Sequence, residues 1–164
     1  MSSPSTDTLP ATVRTIRTRP LFVLRLAVRP MLSVGPTPGV HRRIGVIHGG
    51  TFEGDRLTGA VMDGGSDWQS VRSDGSVGLD VRVVLKTSDD ALIAMTYRGI
   101  RHGTPDLLRR IDQGEAVSPD AYYFRMAPMF ETASSAYGWM NHILAIGVGH
   151  RLPDGPVYSV FEVL

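Results

Sequence analysis

The sequence predicts an all-β protein: a single antiparallel β-barrel with one short helical insertion. Three observations lead there. Short segments alternate apolar and polar residues with the two-residue period of a strand. Between them, 18 glycines and 11 prolines punctuate the 164-residue chain. One segment alone carries clear helix start and stop signals, which does not fit the alternating strands and helices of a parallel sheet.

Residues 1–20, rich in Ser, Thr, Pro and Arg, lack the apolar centre of a secretory signal and predict a disordered lead-in. The domain is expected to span 21–164. "LFVLRLAVR" (21–29) places Phe22, Leu24, Leu26 and Val28 on one strand face, and "PMLSVGPTPGVHRR" then reads as a loop. "IGVIHGGTFEG" resumes a strand whose glycines permit bends or bulges in a curving sheet, and "DRLTGAVMDGG" is a short strand. "VGLDVRVVLKT" (77–87) is the clearest strand, with Leu79, Val81, Val83 and Leu85 on one face and Asp80, Arg82 and Lys86 on the other. Asp89-Asp90 fits a tight hairpin into "ALIAMTYRG". In "TPDLLRRIDQGEA", Thr104 suits the N-cap, Pro105 the first turn and Gly114 the stop, which predicts the helix. "AYYFRM", "HILAIGVGHRL" and "VYSVFEVL" complete the strands, with a turn or short helix in "ETASSAYGWMN".

Composition narrows the function. A formal net charge of +1 supplies no field for nucleic acid or anionic membranes. The absence of cysteine excludes disulfides, thiolate nucleophiles and cysteine-bound metal. No apolar run reaches the roughly 20 residues of a membrane span, so a cytoplasmic protein is expected. "GGTFEG" lacks the spacing of a phosphate-binding loop, and there is no Gly-x-Ser-x-Gly elbow. His41, His48, His102, His142 and His150 are scattered, so neither a metal nor another cofactor is expected.

What remains is a set of charged and aromatic residues near strand ends: Asp67-Trp68, Asp80 and Arg82, Tyr97-Arg98, Tyr123 and Arg125, Glu131, and Tyr137-x-Trp139-x-Asn141. Asp80 shares a face with Arg82, and Tyr123 with Arg125. If that face points inward, the barrel has a polar lumen for a small ligand; if outward, aliphatic residues fill a solid core.

The succession "GGTFEG … LTGAVMDGGSDWQ … LDVRVVLKTSDDALI … YRG … YYFRMAPMFET … YGWMN … VYSVFEV" closely resembles the DUF3237 family, also called UPF0311, from about Leu21 to Leu164. The resemblance implies a compact β-barrel similar to the barrels of allene oxide cyclase and related small cyclases. That likeness is one of fold and carries no reaction with it. By the resemblance, Asp67, Trp68, Arg82, Arg125, Glu131, Trp139 and Asn141 stand at positions of the family pattern, whereas His48 and the helical insertion at 104–120 are less typical of it, so any role for them would be particular to this protein.

Two functions are compatible with these residues. One is a cofactor-independent isomerase, cyclase or lyase acting on a small oxygenated, partly apolar molecule. Asp67 or Glu131 would serve as acid or base, and Arg125 and Asn141 would polarise a carbonyl. Trp68, Arg82, Tyr97, Tyr123 and Trp139 would line the site. The other is a non-catalytic barrel that binds the same kind of ligand. Asp67 and Trp68 are expected at the mouth of a pocket shared with Arg125, Glu131 and Trp139; the competing reading is a glycine corner plugged by an aromatic. The C-terminal strand, apolar on both faces, predicts a homo-oligomer, a dimer in the simplest case.

Overall fold

The computed structural model describes residues 6–164. Two 3-10 turns, Thr6–Thr8 and Ala11–Val13, lead into β1 (Thr18–Val28), so the first strand begins before residue 21. The part of the expected disordered lead-in at residues 1–5 lies outside the described residues. There follow β2 (Leu32–Pro36), β3 (His41–Glu53), β4 (Thr58–Val61), β5 (Gly65–Val71), β6 (Val77–Thr87) and β7 (Leu92–His102). After α1 (Pro105–Asp112) come β8 (Tyr123–Glu131), β9 (Leu144–Leu152) and β10 (Gly155–Val163).

Every pairing is antiparallel. The order runs β1-β10-β9-β8-β7-β6-β4-β3, β5 joins β3 to β6 beside β4, and β1 pairs β3 to close the ring. The result is an eight-position closed barrel, with β2 as a short flap on β3. Among the described residues no helix is long and apolar enough to cross a membrane.

The expected turn chemistry is present. Asp90, at φ 68°, completes the β6–β7 hairpin. Thr104 Oγ1 accepts from the Leu107 amide at the start of α1, and Gly114, at φ +81°, ends that segment.

Parity decides the core. Leu79, Val81, Val83 and Leu85 of β6 are buried inside the barrel, and Arg82 and Lys86 face solvent. Outward is therefore the answer for both Asp80–Arg82 and Tyr123–Arg125, and aliphatic side chains fill most of the lumen. Each buried Leu, Val or Phe stabilises the fold by about 1.5–3 kcal/mol.

One end of the barrel is plugged. Phe22 packs against Phe52 and Phe130 at ring distances of 5.6 and 6.0 Å. Glu162 closes this end: it is 6% exposed, accepts from Arg19 Nη2 at 2.8 Å, and also pairs with Arg56. Burial alone would raise its carboxyl, but the two arginines hold it below the usual carboxylate range. Arg56 in turn lies 4.0 Å over the Trp139 ring.

Candidate active site

The other end is polar inside. In β5, "GSDWQSV", alternation turns Gly65, Asp67 and Gln69 into the lumen and leaves Trp68 outside. Asp67 is 9% exposed. Its Oδ2 accepts from Gln69 Nε2 at 2.8 Å and its Oδ1 from the Asp80 amide at 3.2 Å. The paired register of β5 and β6 skips Trp68 and Gln69, so the Asp67 carboxylate takes up a β6 amide at a gap in the ladder. No arginine or lysine forms an ion pair with it among the described residues. Burial accordingly pushes its pKa from 3.8 to about 6, despite the hydrogen bonds from Gln69 and Asp80.

Tyr97 of β7 and Tyr158 of β10 stand in the same chamber, their rings edge to face at 5.6 Å. The Tyr97 hydroxyl donates to that of Tyr158 at 3.3 Å. Burial, with the negative charge of Asp67, raises both phenols, so they remain protonated donors at neutral pH.

Above this chamber lie three arginines from separate strands. Arg101 of β7 is 2% exposed and donates Nη2 to Asp112 Oδ1 at 3.2 Å. Arg43 of β3 donates Nη1 to Asp112 Oδ2 and Nη2 to Gln69 Oε1, each at 3.0 Å. A hydrogen-bonded chain therefore runs from Asp112, at the end of α1, through Arg43 and Gln69 to Asp67. Arg151 of β9 completes the ring, and burial pulls both Arg101 and Arg151 below the ordinary guanidinium range.

The space divides into two. The inner chamber, about 20 Å³, is bordered by Asp67, Gln69, Leu79, Tyr97, Phe124 and Tyr158. The outer vestibule, about 680 Å³, reaches His48, Pro30, Ile111 and Pro153. Val28, Met31, Gln69, Arg101 and Arg151 border both, so the two lie side by side.

The structure distributes the expected site residues over three places. Asp67 and Tyr97 meet in the lumen. Trp68, Tyr123 and Arg125 line a separate groove of about 710 Å³ on the outer wall. There Trp68 and Tyr123 are about half exposed, and Arg125 lies 4.8 Å over the Tyr123 ring. Arg82 is beside this groove, 3.9 Å from Asp80. Glu131, Trp139 and Asn141 belong to the plugged end, where Asn141 Oδ1 accepts from the Thr132 amide and its Nδ2 donates to the Thr132 carbonyl.

The expected pocket joining Asp67 and Trp68 to Arg125, Glu131 and Trp139 is therefore not formed. Neighbours on a strand point to opposite faces, which separates Asp67 from Trp68. Arg125 and Glu131 stand at opposite ends of β8, about 20 Å apart at strand rise. Sequence reasoning missed Arg43, Gln69, Arg101, Arg151 and Tyr158. The available signals were the Asp67–Gln69 parity and the Ile93-Met95-Tyr97-Gly99-Arg101 parity of β7. Among the described residues no group of three or more His, Cys, Asp or Glu could hold a metal ion.

Fold and lumen together define a class: a closed antiparallel barrel, plugged by aromatic rings at one end and carrying ionisable groups at the other. The chain belongs to the DUF3237 family, whose model, described as a protein of unknown function, matches residues 16–163. It is 33% identical to a UPF0311 protein of Rhodopseudomonas palustris, over 92% of this chain and 98% of that protein. A crystal structure of a Rhodopseudomonas palustris protein of unknown function superposes with a TM-score of 0.89 at 33% identity, covering 92% of this chain and 99% of that one. A beta-barrel like protein from Acinetobacter baumannii gives 0.80 at 37% identity, covering 92% and 97%. An enzyme from Penicillium herquei, at 21% identity and a TM-score of 0.69 over 100% and 99% of the two chains, shares the fold.

Proposed function

We propose that the protein is a cytoplasmic, cofactor-independent enzyme performing proton-transfer chemistry, as an isomerase, cyclase or lyase, on a small oxygenated, partly apolar molecule. The observation that carries this reading is the Asp67 carboxyl: buried, with no ion-pair partner among the described residues, and sharing with two phenols a chamber that adjoins the vestibule. With a pKa of about 6 it is mostly ionised at pH 7 and still exchanges protons readily. As base, Asp67 removes a proton from the carbon beside a substrate carbonyl, and the resulting enolate oxygen accepts the Tyr158 hydroxyl proton as a hydrogen bond. The proton returns to another carbon, or the enolate collapses by ring closure or loss of a leaving group, with no net redox change. The 20 Å³ chamber admits only a small reacting group, so the body of the substrate rests in the vestibule.

The test is deuterium incorporation. In D₂O, the wild-type protein is expected to accelerate exchange beside the carbonyl in members of a panel of cyclic hydroxyketones, enones and lactones. Tyr158→Phe is expected to slow this by about tenfold or more, the worth of one hydrogen bond to developing charge. A panel with no exchange or conversion above buffer would leave the non-catalytic ligand-binding barrel as the better reading.

We also propose self-association through the outer wall. Met129, Leu144, Ile146 and Val148 are between 40% and 61% exposed on neighbouring strands β8 and β9, beside the half-buried Val157 and Phe161 of β10. Sedimentation equilibrium is expected to show a dimer; a strict monomer at high protein concentration would count against it.

A further inference from the structure

We propose that the ligand of the lumen is a carboxylate carried on an apolar body, seated on Arg101 and Arg151 where vestibule and inner chamber meet. The inference rests on the acid–base reading only in sharing its cavity.

The charges do not balance without such a group. The vestibule is lined by four arginines, Arg29, Arg43, Arg101 and Arg151, against two carboxylates, Asp112 and Asp154. Asp112 spends one oxygen on Arg43 and the other on Arg101. Arg151 donates to the neighbouring Leu152 carbonyl and has no carboxylate partner among the described residues. Asp67, the acid that borders the inner chamber, is engaged by Gln69 and the Asp80 amide.

The hydrogen-bond inventory points the same way. Among the described residues, Arg43 Nε and Arg101 Nε are buried donors without a partner. The Arg101 side chain is only 3% exposed, so bulk water does not satisfy it. A guanidinium presents paired N–H groups in a fork that matches a planar carboxylate, and an unpaired buried donor is costly. An anionic head would neutralise the unbalanced charge and pair with the guanidinium N–H groups that Arg101 and Arg151 present to the vestibule. Its body would meet Ala27, Val28, Pro30, Met31, Ile111 and Pro153, the apolar part of the same lining.

Benzoate and benzamide, alike in shape and different in charge, test the proposal by calorimetric titration of the full chain at constant ionic strength. Benzoate is expected to bind at least about tenfold more tightly than benzamide, the preference of charge-assisted over neutral hydrogen bonds. Arg151→Gln is expected to reduce that preference by about tenfold. Arg101→Gln should do the same, and Arg151→Gln keeps the test valid if loss of the buried Arg101 charge prevents folding. Asp67→Asn is expected to keep benzoate binding, because it removes a negative charge and no anion contact. Equal binding of the two probes, binding of neither, or a benzoate preference that survives Arg151→Gln would each overturn the proposal. Charge-selective binding without any proton exchange would refute the catalytic reading alone, and exchange in the neutral panel without a benzoate preference would refute the carboxylate alone.

Discussion

Asp67→Asn is expected to abolish most turnover and yet to make the protein more stable above pH 6. The carboxyl is the proton carrier of the proposed chemistry, and its loss at nearly unchanged volume should cost about 10²–10⁴-fold in rate. The stability effect follows from linkage. The pKa of Asp67 is raised on folding, from 3.8 to about 6, so its contribution is fully present below the unfolded value and is lost as pH rises through about 6. The difference corresponds to about 3 kcal/mol of penalty for the buried charge at pH 7–8. Asparagine never pays that penalty. It offers one acceptor where the carboxylate offers two, so either Gln69 Nε2 or the Asp80 amide loses its partner, at about 1 kcal/mol. The net expectation is a gain of about 1–2 kcal/mol at pH 8 that shrinks toward pH 4. Urea unfolding of both proteins from pH 4 to 8 reads it directly. A stability difference between variant and parent that does not grow between pH 4 and 7, or a variant with full turnover, would show that Asp67 is a structural group.

The barrel was legible because its strands are regular. Leu79, Val81, Val83 and Leu85 alternate without a break, and Asp89-Asp90 and Thr104 mark a turn and a cap through local chemistry alone. The site was legible only in part. Asp67 and Tyr97 could be singled out as an acid and a phenol among strands, but Trp68 was joined to Asp67 by adjacency, which on a strand means opposite faces. Arg43, Arg101 and Arg151 lie on β3, β7 and β9, and barrel closure is what brings them together. Nothing local marks that convergence. Asp112, which holds two of them, sits at the end of the helical insertion, whose importance for the site depends on where α1 packs. The choice between pocket and plug divides along the barrel axis: Trp139 with Arg56 and Glu162 closes one end, and Asp67 lies at the other.

Of the adjacent glycines in "HGGTFEG", Gly50→Ala is expected to unfold or severely weaken the protein, and Gly49→Ala to be tolerated. Gly50 lies opposite Leu26 in the β1–β3 seam, next to the irregularity at Ala27/Val28. Its φ is +142°, and a Cβ there would stand 2.0 Å from the Arg25 carbonyl oxygen. The oxygen it would meet belongs to the backbone, so no side chain can yield; the seam itself must open. Strained backbone and lost pairing should together cost at least about 3 kcal/mol, a fall in Tm of roughly 10 °C for a chain of this size. A Cβ on Gly49 meets nothing within 4 Å, so its change should stay within about 0.5 kcal/mol. Thermal unfolding followed by circular dichroism separates the two, and equal melting of both variants would mean that the seam tolerates the added carbon. The seam matters beyond stability, because Leu26 and Ile47 on its two sides border the inner chamber. A Gly50→Ala protein that still folds is therefore expected to bind benzoate more weakly than Gly49→Ala, since opening β1 from β3 moves the wall against which the ligand would pack.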